Sequence, residues 1–320
     1  MSFRNRKSLR DGMKGSIEDS LIHMIPKRFD YVGDVAVISI PSELAAYKEI
    51  IASKLFSMRG NTKAVLNKIS KLEGEHRTAD FELLLGKSTE TVHRENGYIY
   101  KVDVKKVFFN PRLYSERKRV ASKVIQDEYI IIPFAGVGPF VLPAAGKGAH
   151  VYAVEINPEA CTCLKENIKI NRLEDKITVL QADFEKFCRN RVPFLPSTDS
   201  SQQAARKDEN SALSMNPSIN MPICAESVIN SEAFKLKIPQ NGFDRAIVPT
   251  PYGMDHFLDE VSRLVRKEGY IHFYTFKAES QIPELIEKYK KKGFIVEFYK
   301  RCGNVAPGIS RWVFDLIKKR

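Results

Sequence analysis

Residues 129–158 decide the fold class and read YIIIPFAGVGPFVLPAAGKGAHVYAVEINP. A short apolar run at 129–132 leads into the glycine-containing turn 134–138, and a second apolar run at 150–154 ends at Glu155. Apolar runs of this length, bounded by glycine or by an acid, are typical of buried strands in a parallel sheet. The stretch therefore predicts the first two strands of a doubly wound α/β sheet, with a ligand site where the strands end.

The same alternation continues to the end of the chain. Further strands are predicted at 177–180, which ends at Asp183, and at 245–248, 270–274, 295–299 and 311–317, with helices at 158–170, 255–267 and 282–292. Strands that alternate with helices of this length indicate βαβ units. Only the loop 302–310 separates the last two strands, too little for a helical crossover, so the last strand is predicted to be antiparallel.

A smaller α+β unit precedes this sheet. It contains a strand at 34–40, a helix from Ser42 to about Phe56, and strands within 63–110, including a hairpin whose turn is Glu95-Asn96-Gly97. The predicted division is a basic N-terminal tail (1–30), the α+β domain (31–112), a basic connecting helix (113–128) and the α/β domain (129–320). Residues 195–233 lack aromatic residues and predict a mobile insertion within that domain, or else a linker between two domains.

Composition narrows the class of protein. The chain has 320 residues, of which 43% are hydrophobic and 28% charged, which excludes a disordered or fibrous protein. No apolar run is long enough to cross a bilayer, and residues 1–15 lack the apolar core of a secretory signal, so we expect a cytoplasmic protein without a membrane partner. Five scattered cysteines predict neither a disulfide framework nor a metal site. The net charge of +12 favours nucleic acid as a partner.

Three features predict a nucleoside cofactor at the carboxyl ends of the strands. Gly136 and Gly138 form a tight turn after the first strand. Glu155 at the end of the second strand can accept both hydroxyls of a ribose, and Asp183 after the third can hold the amine of adenine. The turn lacks the third glycine of the dinucleotide fingerprint, so the pattern favours S-adenosyl-L-methionine over NAD.

These residues, together with several motifs, resemble the archaeal and eukaryotic tRNA (guanine-37-N1)-methyltransferase family, which is related to the wybutosine-pathway aminocarboxypropyl transferases. The motifs lie at 134–140 (FAGVGPF), 155–158 (EINP) and 165–171 (KENIKIN), and upstream at 38–41, 73–77, 89–91 and 110–117 (NPRLYSER). The resemblance covers roughly 30–190 and 243–317. It implies a class I methyltransferase domain behind a small α+β domain, without the N-terminal tRNA-elbow domain of full-length members.

The resemblance also implies roles for individual residues. Because N1 of guanine carries a proton at neutral pH, its methylation needs a base and a donor that stabilises the charge on O6. Glu116 matches the base, with Arg112 on the same helix face, and Arg77 would stabilise O6; the alternative for Arg112 and Glu116 is a surface ion pair. The implied cofactor-binding residues are Arg117, Phe134, Gly136, Val137, Gly138, Pro139, Phe140, Glu155, Ile156, Asn157, Asp183, Phe184 and Pro249.

The implied partner is the anticodon stem-loop of a tRNA, bound by a monomer. The phosphate contacts are assigned to Lys118, Arg119 and Lys123, beside Arg112 and Arg117 on the same basic segment. Tyr252 is assigned to stacking on a flipped purine, with Tyr114 as the alternative.

Two positions depart from the family pattern. Ile132 stands where members usually have an acid, and Pro249-Thr250-Pro251 stands where they have Asn-Leu-Pro. Pro249 has neither a side-chain donor nor a backbone N–H. Three alternatives to guanosine methylation follow: aminocarboxypropyl transfer, methylation of a wyosine-type intermediate, or a non-catalytic RNA-binding paralogue.

Overall fold

The computed structural model describes residues 8–70, 79–189 and 239–319. Arg77 and the segment 195–233 lie outside these residues, so the predictions for them stay predictions. Within the described ranges, no helix is long and apolar enough to cross a bilayer.

The first unit is built on a mixed four-stranded sheet. Its strands lie side by side in the order β1 (Asp30–Val32), β2 (Val35–Ile38), β3 (Ala64–Lys68) and β4 (Phe81–Leu85). Helices α1 (Leu9–Met13) and α2 (Lys48–Ser57) pack against one face of this sheet. Because side chains alternate along a strand, β2 and β3 direct the rest of their buried residues into the core that continues into the second unit.

Residues 9–25 belong to this unit and do not form a tail. Leu9, Met13, Ile17 and Ile25 are at most 7% exposed and join the core beneath α2. Apolar side chains spaced four apart are buried together here, and their burial outweighs the local positive charge that suggested a tail.

The hairpin forms as predicted, and the connecting helix forms over a shorter range. Strands β5 (Glu90–Glu95) and β6 (Tyr98–Asp103) pair antiparallel around Asn96 and Gly97, both with positive φ (50° and 88°), as a two-residue hairpin turn requires. Helix α3 (Tyr114–Ala121) is shorter than the predicted basic helix and is preceded by a 3₁₀ turn at Pro111–Leu113.

The second unit contains the predicted doubly wound sheet. Its strands are β7 (Tyr129–Pro133), β8 (His150–Glu155), β9 (Ile177–Gln181), β10 (Phe243–Val248), β11 (Val265–Lys277), β12 (Phe294–Ala306) and β13 (Ile309–Lys318). They lie in the order β12-β13-β11-β10-β7-β8-β9, all parallel except β13, the predicted antiparallel last strand. The described helices of this unit are α4 (Val141–Ala145), α5 (Pro158–Ile170), α6 (Phe184–Arg189), α7 (Phe257–Leu264) and α8 (Ile282–Lys291).

The last hairpin is longer than the sequence predicts. The expected loop 302–310 is mostly strand, because β12 and β13 stay paired up to Ala306 and Ile309, and only Pro307 and Gly308 form the turn. The residues before this turn are therefore paired strand and not loop.

The β5–β6 hairpin docks on the second unit through two asparagines of α5. Asn167 accepts the N–H of Lys101 at 2.7 Å and donates to the Lys101 carbonyl at 3.2 Å. Asn171 makes the same two contacts with Ile99, at 2.9 and 2.7 Å. The two side chains satisfy the exposed edge of β6, so the hairpin packs against the α/β domain even though the sequence division placed it in the α+β domain.

Candidate functional site

A cavity of about 320 Å³ lies at the carboxyl ends of β7, β8 and β10, where the chain order of the sheet reverses. The predicted cofactor-binding residues that line it are Arg117, Phe134, Gly136, Pro139, Phe140, Glu155, Ile156, Asn157, Asp183, Phe184 and Pro249. Val137 and Gly138, the other two residues of that prediction, do not line it.

The turn after β7 explains why its two glycines differ. Gly136 has a φ of 55°, and a Cβ built on it meets only open space, the nearest atom being the Phe108 carbonyl oxygen at 3.9 Å. A ligand can therefore approach the backbone closely at Gly136. A Cβ on Gly138 would lie 2.5 Å from Cδ1 of Leu164. Gly138 thus permits the close packing of α5, and Val137, which is fully buried, belongs to the core.

Two carboxylates are fixed at the cavity by backbone N–H groups. Glu155 accepts the N–H of Gly136 at 2.7 Å and that of Asn157 at 2.9 Å, one on each oxygen. Asp183 accepts the N–H of Lys186 at 3.0 Å, and its second oxygen has no hydrogen bond to a described residue. A carboxylate oxygen has two lone pairs, so both side chains keep acceptor capacity for the hydroxyl or amine groups of a ligand.

An aromatic wall stands beside these acids. The ring of Phe134 lies 5.7 Å from that of Phe184 and 5.2 Å from that of Phe257, both in edge-to-face geometry. Apolar faces next to oriented carboxylates suit a flat base that is joined to a sugar. The open space at Gly136, the two carboxylates and this wall together fit an adenosine-containing cofactor.

Glu116 is buried and lies outside the cavity wall. Its side chain is 6% exposed, and both of its oxygens accept from Arg119, at 2.6 and 2.9 Å. The hydroxyl of Tyr274 donates to the same carboxylate at 2.9 Å, and Tyr274 does line the cavity. The predicted base therefore reaches the cavity through one hydroxyl group.

Arg112 is not the partner of Glu116. Its Nε donates to Asp30 at 2.6 Å, so it joins α3 to the first unit and lines a second cavity. The alternative of a surface pair between Arg112 and Glu116 is thus wrong as well, since the residue that pairs with Glu116 is Arg119, one turn along the same helix.

The predicted phosphate-binding cations are largely paired with acids. Arg119 and Lys123 both contact Asp315, at 2.6 and 2.9 Å, and Lys123 also contacts Glu297 at 3.2 Å. Only Lys118 among the three is exposed without an ion pair in the described part of the chain. The sequence could not show this, because Asp315 and Glu297 are remote in sequence from α3.

Arg117 is fully buried and forms a two-pronged ion pair with Glu95 of β5. Its third contact is a hydrogen bond to the Asn110 carbonyl at 3.0 Å. Arg117 lines the cavity with its position fixed by the hairpin, so its donors are directed mainly at the protein.

Asp315 lies at the centre of a buried chain of charges. His272 contacts Asp315 through Nδ1 at 2.7 Å and Arg245 through Nε2 at 2.8 Å, and Arg245 in turn binds Glu128 at 2.8 Å. Burial would raise the pKa of Asp315, but hydrogen bonds from His272 and Arg119 hold it below its ordinary value. Burial lowers the pKa of His272, so a neutral ring donates to Asp315 and accepts from Arg245.

A second cavity of about 490 Å³ adjoins the first, between the two units. The residues that it shares with the first cavity are Phe108, Phe109, Asn110, Leu113 and Arg311. Basic side chains from both units contribute to its wall: Arg28, Lys68 and Lys105 precede α3 in the chain, and Arg311 belongs to β13. Tyr252 of the RNA-binding prediction lines neither cavity; it is 59% exposed, and its ring lies 5.2 Å from Phe276.

Sequence reasoning missed Tyr274 and Arg311. Both lie in strands, at positions read only as part of an apolar or alternating run. A signal existed for Arg311, because a cation at the start of a buried strand has no place in an apolar core.

Comparison with known proteins places the chain in a family. Residues 91–193 match the model of the TRM5/TYW2 methyltransferase domain, and residues 9–89 match that of the TYW2 N-terminal domain. The chain is 30% identical over 273 residues to tRNA (guanine(37)-N(1))/4-demethylwyosine(37)-methyltransferase Taw22 of Nanoarchaeum equitans, which covers 81% of this chain and 87% of that protein. The chain belongs to the TRM5/TYW2 methyltransferase family.

This chain aligns with only part of the length of some other members of the TRM5/TYW2 family. The chain is 42% identical over 166 residues to tRNA (guanine(37)-N(1))-methyltransferase Trm5b of Pyrococcus abyssi, and it spans only 50% of that relative. Among solved structures, the complex of aTrm5 and tRNALeu superimposes with a TM-score of 0.75 at 26% identity, covering 99% of this chain and 80% of that one. The expected fold is thereby confirmed.

The two departures from the TRM5/TYW2 pattern lie in different surroundings. Ile132 is fully buried in the core and does not line either cavity. Pro249, Thr250 and Pro251 all line the first cavity, but the hydroxyl of Thr250 donates to the Val248 carbonyl at 3.1 Å. The loop therefore presents no side-chain N–H to the cavity at the position where the resemblance predicts an asparagine.

Proposed function

We propose that the chain is an S-adenosyl-L-methionine-dependent tRNA methyltransferase that modifies N1 of guanosine 37, beside the anticodon. One observation carries the proposal: a cavity that fits an adenosine-containing cofactor shares five residues with a basic-lined cavity between the two units. A cofactor in the first cavity and a purine nucleotide in the second would meet at these shared residues. The named activities of the two curated relatives and the net charge of +12 support this assignment.

The cofactor would be held by groups that the chain fixes in advance. Glu155 would accept the ribose hydroxyls, Asp183 the adenine amine, and Phe184 would pack on the adenine ring. Bound S-adenosyl-L-methionine supplies an electrophilic methyl group. Because Gly136 has no side chain, its backbone leaves room for the cofactor beside Glu155.

Proton removal would pass through Tyr274. The proton on N1 of guanine would move to the hydroxyl oxygen of Tyr274 as the hydroxyl proton moves to Glu116, which would leave the N1 lone pair free to act as the nucleophile. Burial and the charge of Glu116 raise the pKa of Tyr274, so the hydroxyl is protonated and already donates to Glu116.

The partner is proposed to be the anticodon stem-loop, bound by a monomer in the cytoplasm. Arg28, Lys68 and Lys105 in the second cavity replace Arg119 and Lys123 as the candidates for phosphate contacts, with Lys118 retained. Light scattering of the chain with and without tRNA measures the stoichiometry.

A second candidate is aminocarboxypropyl transfer from the same cofactor, or methylation of a wyosine-type intermediate. Two observations favour it: residues 9–89 match a TYW2 N-terminal domain, and Pro249 replaces the donor near the reacting base. A carbon nucleophile on a tricyclic base has different proton requirements from N1 of guanine, so the loss of a donor there would matter less.

The deciding experiment is the mass and position of the modification. The purified chain is incubated with S-adenosyl-L-methionine and three substrates: tRNA transcripts carrying guanosine or adenosine at position 37, and tRNA carrying the tricyclic base 4-demethylwyosine at that position. Nuclease digests are analysed by mass spectrometry. A single methyl on guanosine 37 is expected, and an added aminocarboxypropyl group would support the second candidate. The variant Glu155→Ala should be inactive, with Glu159→Ala on the exposed side of α5 as the control. No product from folded, cofactor-binding protein would leave only an RNA-binding paralogue.

A further inference from the structure

Arg311 is a half-buried guanidinium at the boundary of the two cavities. It lines both of them, and it has no hydrogen bond or ion pair with any described residue. Its guanidinium stacks on an aromatic face, with the guanidinium carbon 5.0 Å from the ring centre of Phe276. Stacking of this kind positions the guanidinium plane without using its five N–H donors.

Of the other arginines that line these cavities, Arg28 is exposed to solvent and the other two are paired with acids. Arg117, the second arginine of the first cavity, is bound by Glu95, and Arg112 of the second cavity is bound by Asp30. A desolvated cation without an acid is costly, and burial lowers the pKa of Arg311. Since the fold gains nothing from leaving this group unpaired, the arrangement suits a partner that arrives with the substrate.

The sheet register places Arg311 beside the proposed proton acceptor. Arg311 lies opposite Phe276, and Val313 lies opposite Tyr274, so all four residues share one face of the β11–β13 pair. On guanine, O6 is bonded to C6, the ring atom next to N1. A base that presents N1 to Tyr274 can therefore present O6 to a group one step along the same face.

Arg311 also supplies what the loop at Pro249 lacks, which is a side-chain N–H donor facing the cavity. Removal of the N1 proton places negative charge on O6, and a donor aimed at that oxygen lowers the barrier. The loop at Pro249 offers no side-chain N–H to the cavity. Arg311 reaches the same cavity from another strand, β13, and its guanidinium carries the required N–H donors.

We infer that Arg311 binds O6 of the target guanine and stabilises the charge that forms there when N1 is deprotonated. The inference rests on the proposed function and deepens it, because it assigns the selection of a 6-oxopurine to a residue of β13. The resemblance gave the contact with O6 to Arg77, which lies outside the described residues, so Arg311 is proposed here as a donor to that oxygen in its own right. A backbone phosphate of the RNA offers a similar anionic oxygen, and the experiment separates the two.

The test compares Arg311→Gln and Arg311→Lys with wild type under single-turnover conditions. Arg311→Gln should lower the methyl-transfer rate by about 10²–10³-fold while the Kd for tRNA changes little. The rising limb of its rate–pH profile should move to higher pH, because the substrate must then ionise without help. Arg311→Lys should recover part of the rate. The melting temperature of Arg311→Gln should equal or exceed that of wild type, because an unpaired cation leaves the cavity wall, and that of Arg311→Lys should stay close to wild type, because the charge is kept.

A substrate change distinguishes the base from a phosphate. With 6-thioguanosine at position 37, whose sulfur is a weak acceptor, the difference between wild type and Arg311→Gln should shrink. Arg301→Gln, which alters a paired and exposed arginine of the same hairpin, is the control and should leave the rate unchanged. A weaker Kd with a smaller salt dependence and an unchanged pH profile would assign Arg311 to a phosphate and overturn the inference.

The remaining outcomes are also decisive. A wild-type rate in Arg311→Gln would overturn the role of Arg311 while the proposed function stands. An inactive wild-type enzyme would overturn the proposed function and, with it, the role of Arg311. A fall in melting temperature with an unshifted pH profile would show that Arg311 is structural.

Discussion

At the scale of single residues, the two glycines of the turn after β7 should respond differently to the same substitution. In Gly136→Ala the new methyl group enters the cavity, and the positive φ costs about 1–2 kcal/mol. We expect cofactor affinity to fall by about tenfold or more, which corresponds to about 1.4 kcal/mol. In Gly138→Ala the methyl group collides with Leu164, which adds about 1–3 kcal/mol of overpacking to the backbone strain. Calorimetry and urea unfolding of both variants measure the contrast; equal losses of stability would contradict it.

Also at this scale, the contact between Glu116 and Tyr274 makes a proton relay testable. Glu116→Gln and Tyr274→Phe should each reduce the methylation rate by about 10²–10⁴-fold, the usual contribution of a general base. If the two side chains act as one path, the double variant should be no slower than the slower single variant. Single-turnover rates of the four proteins give the coupling, and multiplicative effects would show that the two residues act separately.

At the scale of elements, the docking of the β5–β6 hairpin depends on Asn167. This side chain is fully buried and also donates to the Val137 carbonyl at 3.1 Å, so Asn167→Ala leaves three backbone groups without partners. A buried polar group that loses its partner costs up to about 1–3 kcal/mol. For Asn167→Ala we expect the unfolding free energy to fall by about 2–4 kcal/mol in total. Asn171→Ala, at a less buried position of the same edge, should cost less. Urea titrations measure both values, and equal losses would contradict the assigned role of burial.

The elements also show what sequence could and could not predict. The strands from β7 to β13 follow from apolar runs and glycine turns, which are local signals, and the antiparallel last strand follows from a short connection. The partners of α3 and of the turn before it do not, because Asp30, Glu95 and Asp315 meet this segment only after long loops close. The residues at the predicted strand ends were therefore enough to predict most of the cavity wall. The ion pairs join residues that are remote in sequence, so they became visible only in the folded structure.

At the scale of the whole molecule, the buried charge chain predicts a pH dependence of stability. Burial lowers the pKa of His272, so below about pH 6.5 the unfolded chain takes up a proton that the native ring does not. The unfolding free energy therefore loses nothing to His272 above that pH. Below it, the unfolding free energy decreases as the pH falls, by at most about 1.4 kcal/mol per pH unit for one proton. His272→Gln should remove this slope from the unfolding free energy measured between about pH 5 and 8. An unchanged slope would mean that other groups cause it.

The cations in α3 and in the residues next to it are mostly paired with acids, and this pairing bears on how RNA binding responds to salt. Each cation that newly neutralises a phosphate releases bound counterions, and log K falls against log salt by about 0.7–0.9 per contact. Arg112, Arg117, Arg119 and Lys123 already face acids of the protein, so they have little counterion release left to contribute. Lys118→Ala should therefore reduce the salt slope by about one contact. Most of the slope must come from cations elsewhere, so the steepness of the salt response measures how far the RNA extends beyond α3.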